Sequence, residues 1–193
     1  MRVSREQAAE NHERIVEAAS RLFRQQGFDG VSVDAIMQDA GLTHGGFYGH
    51  FKSKEDLAAR AVARALAKAT ERQKRYTDLG DLVSDYLSQR HCDDRGNGCV
   101  IAALGADIVR QGSGVRGGLT AHVRSQFDRF ARLIKGGTAA NRRKRAIATL
   151  AGIVGAMTLA RAVEDPALSK EILAAAREIF GKAPGGPAVG AAD

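Results

Sequence analysis

The chain has 193 residues, enough for one or two domains with a buried core. Apolar residues at 44% against charged residues at 26% exclude wholesale disorder, and two cysteines are too few for a disulfide framework. A net charge of +7 favours an anionic partner such as nucleic acid or a membrane surface, and is silent on fold.

The N-terminal stretch MRVSREQAAENHER has no apolar run, so no signal peptide is visible and a reducing cytoplasm is the expected location. Helical periodicity begins over Asn11 to Gln26. Ile15, Ala18, Ala19, Leu22 and Phe23 fall on one face, and Glu13, Glu17, Arg21 and Arg24 on the other. Gly27 closes this helix, as a residue that tolerates a left-handed cap. Ser32 can cap a second helix from Val33 to about Ala40, with Asp34 near its positive end. Gly41 and Leu42 make a turn. A third helix follows at about Thr43 to Gly49, with Thr43 as its cap and Phe47 and Phe51 sharing a face. Ser53 and Asp56 have capping-box spacing and open a fourth, long helix to about Arg75.

The rest of the chain also reads as helical. Asp78 to Gln89 is one helix, and His91 to Gly98 (HCDDRGNG) is a loop. Val100 to Arg110 follows, and QGSGVRGG then breaks the pattern. Leu119 to Lys135 carries Val123, Phe127, Phe130, Leu133 and Ile134 as a stripe. Asn141 to Ala162 contains an uncharged run, Ala146 to Ala160. That run is shorter than the roughly 20 residues needed to cross a bilayer, so a buried helix is expected. Pro166 starts a last helix that runs to about Phe180, and residues 183–193 form a flexible tail. No segment alternates as a strand does. The expected fold is all-α, with about nine helices.

Charge is uneven. Residues 1–60 carry 8 basic and 9 acidic side chains, which leaves 21 and 13 for the remainder. The N-terminal segment is therefore no nucleic-acid binder by gross charge. From Gly41 to Lys54, however, there is no acid, while His44, His50, Lys52 and Lys54 are present. Screening limits such charges to about 8 Å at physiological salt, so a short cationic face matters more than the total.

Two short helices after a longer one, with a glycine-containing turn between them, describe a helix-turn-helix unit. Its last helix must enter a groove about 12 Å wide, which favours small and polar residues on the outer face. Thr43, His44, Gly45, Gly46 and Tyr48 supply them. Each of the two glycines costs roughly 1 kcal/mol of helix stability relative to Ala. That points to close backbone approach, or else to a plain loop.

The stretch VSVDAIMQDAGLTHGGFYGHFKSKEDLAARAV (Val31 to Val62), with the RLFRQQGFDG ending of the first helix before it, resembles the DNA-binding motif of TetR/AcrR-type transcriptional regulators. The likeness covers about a third of the chain. It implies a helix-turn-helix domain over 1–53, a connecting helix over 54–75, and a ligand-binding and dimerisation domain over 76–182. It further implies that Ser32, Thr43, His44, Gly45, Gly46, Tyr48, His50 and Lys54 meet DNA, with Phe47 and Phe51 as core. The implied function is a repressor released from a pseudo-palindromic operator by a small molecule, acting as a homodimer, with no enzyme activity and no cofactor.

Weaker signals complete the reading. Ile101, Leu104, Ile108, Val123, Phe127, Phe130 and Val154 are candidate ligand-pocket residues and equally candidate core. Ala148, Gly152, Ala156 and Ala160, with Gly155, give one side of a helix small residues. They suit either intrachain packing or a two-fold interface with the last helix. Cys92 and Cys99 are incidental thiols or, alternatively, a redox or electrophile sensor, and no standard zinc spacing is present. Gly112 to Gly117 fits GxGxxG but follows no strand, so an inter-helix loop is expected. A helical adaptor that binds no DNA is the remaining alternative.

Overall fold

The computed structural model describes residues 4–182, and every regular element among them is helical. α1 (Arg5–Gln26) starts six residues before the amphipathic pattern does, because Ser4 caps it by accepting from the Gln7 N–H at 3.1 Å. Gly27, at φ 77°, ends it. α2 (Val33–Asp39) has Ser32 as its cap, accepting from Ala35 N–H at 3.1 Å. The third element is a 3-10 helix over His44–Gly49 rather than an α-helix. Thr43 occupies its cap position without making a side-chain cap bond. Three glycines in six residues lower α-helix propensity, so a short tight turn prevails.

α3 (Lys54–Gln73) opens on the Ser53–Asp56 pair. Asp56 N–H donates to Ser53 Oγ at 3.2 Å, and the Asp56 carboxylate reaches back to the Lys52 N–H at 3.3 Å. α4 (Leu79–Tyr86) stops short of the expected Gln89, and α5 (Gln89–Asp93) with a 3-10 turn (Arg95–Asn97) orders most of the expected loop. α6 (Val100–Ile108) follows. α7 (Ser113–Leu133) begins six residues earlier than expected and takes Gly114 and Gly117 of the GxGxxG stretch into its first turns, so all of that stretch after Gly112 is a helix start and not a loop. α8 (Ala139–Ala162) and α9 (Pro166–Gly181) complete the order. The 183–193 tail lies outside the described residues.

By packing, the chain divides into two units whose limits do not follow sequence order. One is the chain up to Arg72 together with Asp94–His122; the other is Gln73–Asp93 together with the chain from Val123 onward. In the first unit Ile15, Ala19, Phe23, Phe28, Ile36, Met37, Phe47, Phe51, Leu57 and Leu104 form one buried cluster. Each of the larger side chains contributes roughly 1.5–3 kcal/mol by leaving water. A charge is buried with them. Arg24 donates from Nε to the Gly96 carbonyl at 2.6 Å and from Nη1 to Ser20 Oγ at 3.1 Å. Burial pushes its guanidinium down to about 10, still far above neutral pH, so it stays charged. Arg72 donates to the Asn97 carbonyl at 2.8 Å. The two arginines thereby hold the Arg95–Asn97 turn through its backbone.

In the second unit Leu82, Val83, Leu87, Phe130, Ile153, Met157 and Leu173 are buried. α9 packs against α8 and α4. Ser169 donates to the Ala160 carbonyl at 2.7 Å, and the Phe180 ring covers Gly152 so closely that a Cβ there would lie 2.1 Å from Cζ. α8 is long and apolar enough to span a membrane by length and composition alone. Its buried residues Ala146, Thr149, Leu150, Ile153, Ala156, Met157 and Ala160 are those of a core helix.

Candidate nucleic-acid interface

The candidate site is built by the elements from Ser32 to Lys54. Phe47 and Phe51 are buried, with ring centroids 5.6 Å apart, and they anchor the His44–Gly49 turn to the core. Anchoring these two leaves the residues between and around them outside. Tyr48 is 72% exposed, its ring edge-on to Phe47 at 5.2 Å. Thr43, His44, Gly45, Gly46 and Gly49 are exposed as well. An aromatic ring left in water beside a filled core has no intramolecular reason to be there, whereas a flat amphipathic ring suits a contact.

The glycines sharpen this. A Cβ built at Gly45 or at Gly49 meets nothing within 4 Å, and at Gly46 it meets only Met37 Cε at 3.6 Å, an ordinary contact. None of the three has a positive φ. Neither crowding nor backbone conformation in the folded chain therefore requires glycine at these positions.

The acids beside the face are partnered. His44 Nδ1 pairs with Asp34 Oδ1 across from α2, and Asp39 is taken by Arg21. His50 is half-buried, with its ring 6.1 Å from that of His12. His12 stacks on Phe51 at 4.6 Å. Desolvation, then the nearby Arg60 and His50, lower the His12 pKa, so this buried edge of the face favours the neutral ring. Ser32 has its hydroxyl committed to the α2 cap, and Lys54 stands at the first position of α3, half-buried.

All eight expected DNA-facing residues thus lie on the first unit within one short stretch, seven of them on or beside the two helices and Lys54 at the start of the next. Sequence reasoning missed two neighbours. Gly49 stands four residues after Gly45, a spacing that was legible. Asp34 lies ten residues before His44 and becomes its partner only through the angle between α2 and the turn.

The other candidates are distributed differently. Ile101, Leu104 and Ile108 belong to the first unit, and Val123, Phe127, Phe130 and Val154 to the second. Leu104, Ile108 and Phe130 are fully buried and the other four partly so. Cys92 is buried in the second unit and Cys99 half-buried in the first, and the two are not joined in a disulfide. Among the described residues no group of three or more metal-ligating side chains converges. Of the small-residue stripe, Ala156 and Ala160 are buried in their own unit and Gly152 is covered by Phe180. Only Ala148 and Gly155 present surface. One position round α8, Ile147, Ala151, Gly155 and Leu159 form a second row at four-residue spacing, and all four are exposed.

The likeness to known proteins falls on the same part of the chain. Residues 15–61 match the family described as bacterial regulatory proteins, tetR family. An HTH-type transcriptional regulator of Staphylococcus aureus (strain bovine RF122 / ET3-1) is 37% identical over 82 residues, 42% of this chain and 43% of that protein. The chain thus matches less than half the length of that relative. Among solved structures, a TetR-family transcriptional regulator from Agrobacterium tumefaciens superposes with a TM-score of 0.71 at 25% identity, covering 90% of this chain and 98% of the other. A TetR transcriptional regulator from Chloroflexus aurantiacus shares the fold at a TM-score of 0.73 and 23% identity, with coverage of 91% and 96%.

Proposed function

We propose, from the premise that the chain is a TetR-type regulator, that it binds a pseudo-palindromic operator as a homodimer and is released by a small molecule. One observation carries the DNA-binding part. The His44–Gly49 turn is pinned by buried Phe47 and Phe51 while Tyr48, His44 and three glycines face outward from an acid-free stretch. Thr43 and His44 meet base edges or phosphates, Tyr48 and His50 contact phosphates or neighbouring bases, and Ser32 and Lys54 fix the register on the backbone. Base contacts are few, so DNA shape supplies part of the selectivity.

Two-fold pairing sets the recognition turns about 34–36 Å apart, one helical repeat of DNA. The second unit supplies the pairing surface through the exposed apolar row of α8 and the exposed Leu168 and Ile179 of α9. The effector binds among the helices after α3, with Val123, Phe127, Phe130 and Val154 as lining. It shifts the population toward a conformer in which α3 tilts and the spacing no longer fits. A soluble cytoplasmic location follows from that role.

Nuclease footprinting on the DNA upstream of the gene tests the reading. The expected result is one protected inverted repeat with half-sites one turn apart, abolished by Tyr48→Ala. Unchanged protection by Tyr48→Ala, with the fold intact by circular dichroism, overturns the contact assignment.

A further inference from the structure

The stretch from Arg129 to Arg145 lies entirely in the second unit and holds seven basic side chains, and no acid follows it until Glu164. Three of the seven are used within the fold. Arg129 donates to the Tyr76 carbonyl at 3.1 Å, Arg142 to the Gly137 carbonyl at 2.7 Å, and Arg143 to Asp128 at 2.6 Å. The Arg143–Asp128 pair also ties the end of α7 to the start of α8. The other four, Arg132, Lys135, Lys144 and Arg145, therefore gather at one end of this unit. Among the described residues none of these four side chains has an ion-pair or hydrogen-bond partner, and Arg132, Lys135 and Lys144 are exposed. The arrangement costs stability. A helix start carries partial positive charge, and α8 has no acid in its first turn to answer it. Arg142 and Arg145, three residues apart, repel each other on one helix face. Positive charge collected in this way, with no counter-charge in the fold, suits an anionic partner.

The polyanions differ in what else they require. A bilayer surface takes basic side chains that stand beside inserting apolar ones. From Arg129 to Ala146 no large apolar side chain is exposed, and the next, Ile147, belongs to the row proposed for pairing. Single strands stack on exposed aromatic rings. The one aromatic residue of the stretch, Phe130, is 1% exposed. A duplex backbone requires cations alone. We infer that this end of the second unit is a contact for the phosphates of duplex DNA, independent of base sequence and separate from the recognition turn of the first unit. It adds affinity of the kind that keeps a regulator on DNA while it slides and hops.

The test uses the full-length protein and a duplex of about three helical turns that contains no inverted repeat. Binding is followed by fluorescence anisotropy over a salt series. The patch variant is Arg132→Gln/Lys135→Gln/Lys144→Gln, and the control Arg116→Gln/Lys170→Gln/Lys182→Gln loses the same charge elsewhere. All six side chains are exposed, so both variants are expected to keep the parent far-ultraviolet spectrum. Whatever the first unit contributes is common to parent and variants. The patch variant is expected to bind about tenfold more weakly at physiological salt, with the slope of log affinity against log salt reduced by about 3 per protomer. The control is expected to match the parent. The same difference is expected in a Tyr48→Ala background, so loss of the recognition-turn contact leaves this test standing. A patch variant with unchanged affinity and slope overturns the inference, and so does an equal loss in patch variant and control, which is net charge alone. Vesicles containing phosphatidylserine, and polyglutamate, replace the duplex in parallel. Patch-dependent binding to either, without a patch-dependent duplex effect, assigns the surface to a membrane or an acidic protein and overturns the inference as well.

Discussion

Gly45 and Gly49 are residues whose presence the fold does not require. Alanine fits at both without meeting another atom, and neither backbone is left-handed. Alanine there restricts the unfolded chain and favours the turn, for a gain of about 0.4–1 kcal/mol each. At the proposed interface a Cβ at either position would lie between the backbone and a groove floor, so the gain in stability would come at a cost in binding. Gly45→Ala and Gly49→Ala are therefore expected to raise the thermal midpoint and to weaken operator binding together. Differential scanning calorimetry and anisotropy on the same samples read the two effects. A variant that gains stability with full DNA affinity removes the close-approach argument for its position. The residue scale is also where the sequence was most legible. Phe47 and Phe51 read as core from their four-residue spacing, and both are buried; Ser32, Ser53 and Asp56 read as caps, and all three cap. The Asp34–His44 pair could not be read, because it depends on how α2 meets the turn and not on any local pattern.

Among the elements, two departures from expectation share one cause. At 91–98 and 111–118 dense glycines and polar residues read as breakers. α7 nonetheless runs through Gly114, Gly117 and Gly118, since a roughly 1 kcal/mol penalty per glycine is small beside the packing of Val115 and Leu119 on the first unit's core. The 91–98 stretch reads as a loop, yet Asp94 caps the Arg95–Asn97 turn and Arg24 and Arg72 take its carbonyls. Those partners are distant in sequence and invisible in it. The α8–α9 pair has the opposite character, since its tolerance is set at a single contact. A Cβ at Gly152 would overlap the Phe180 ring. Gly152→Ala is expected to destabilise the protein by about 1–3 kcal/mol, as overpacking does. Adding Phe180→Leu should restore part of that loss, and urea unfolding of the single and double variants measures both. Additive losses would show that the ring and the glycine do not share the space.

For the whole molecule, the proposed dimer turns on which surface would bring two copies together. Composition pointed to the small-residue row Ala148, Gly152, Ala156 and Ala160, but sequence alone could not say which of two adjacent rows faced the chain's own last helix. Most of that row is consumed inside the second unit, and the neighbouring row is left in water. Of the large apolar side chains standing exposed, Ile147, Leu159, Leu168 and Ile179 all belong to α8 and α9, with Leu159 at 58% and Ile179 at 64%. An exposed apolar surface of this kind marks an interaction site more often than chance exposure does. A self-complementary patch on two helices is also what a two-fold interface requires. Being exposed, these residues can be changed without opening a cavity, so interface and fold can be separated. Leu159→Glu combined with Ile179→Glu is expected to give a monomer by light scattering with an unchanged far-ultraviolet spectrum. Each half-site then binds alone, and the affinity for the full inverted repeat falls to that of one half-site. A double variant that remains a dimer would move the interface off α8 and α9, and with it the basis for the spacing of the recognition turns.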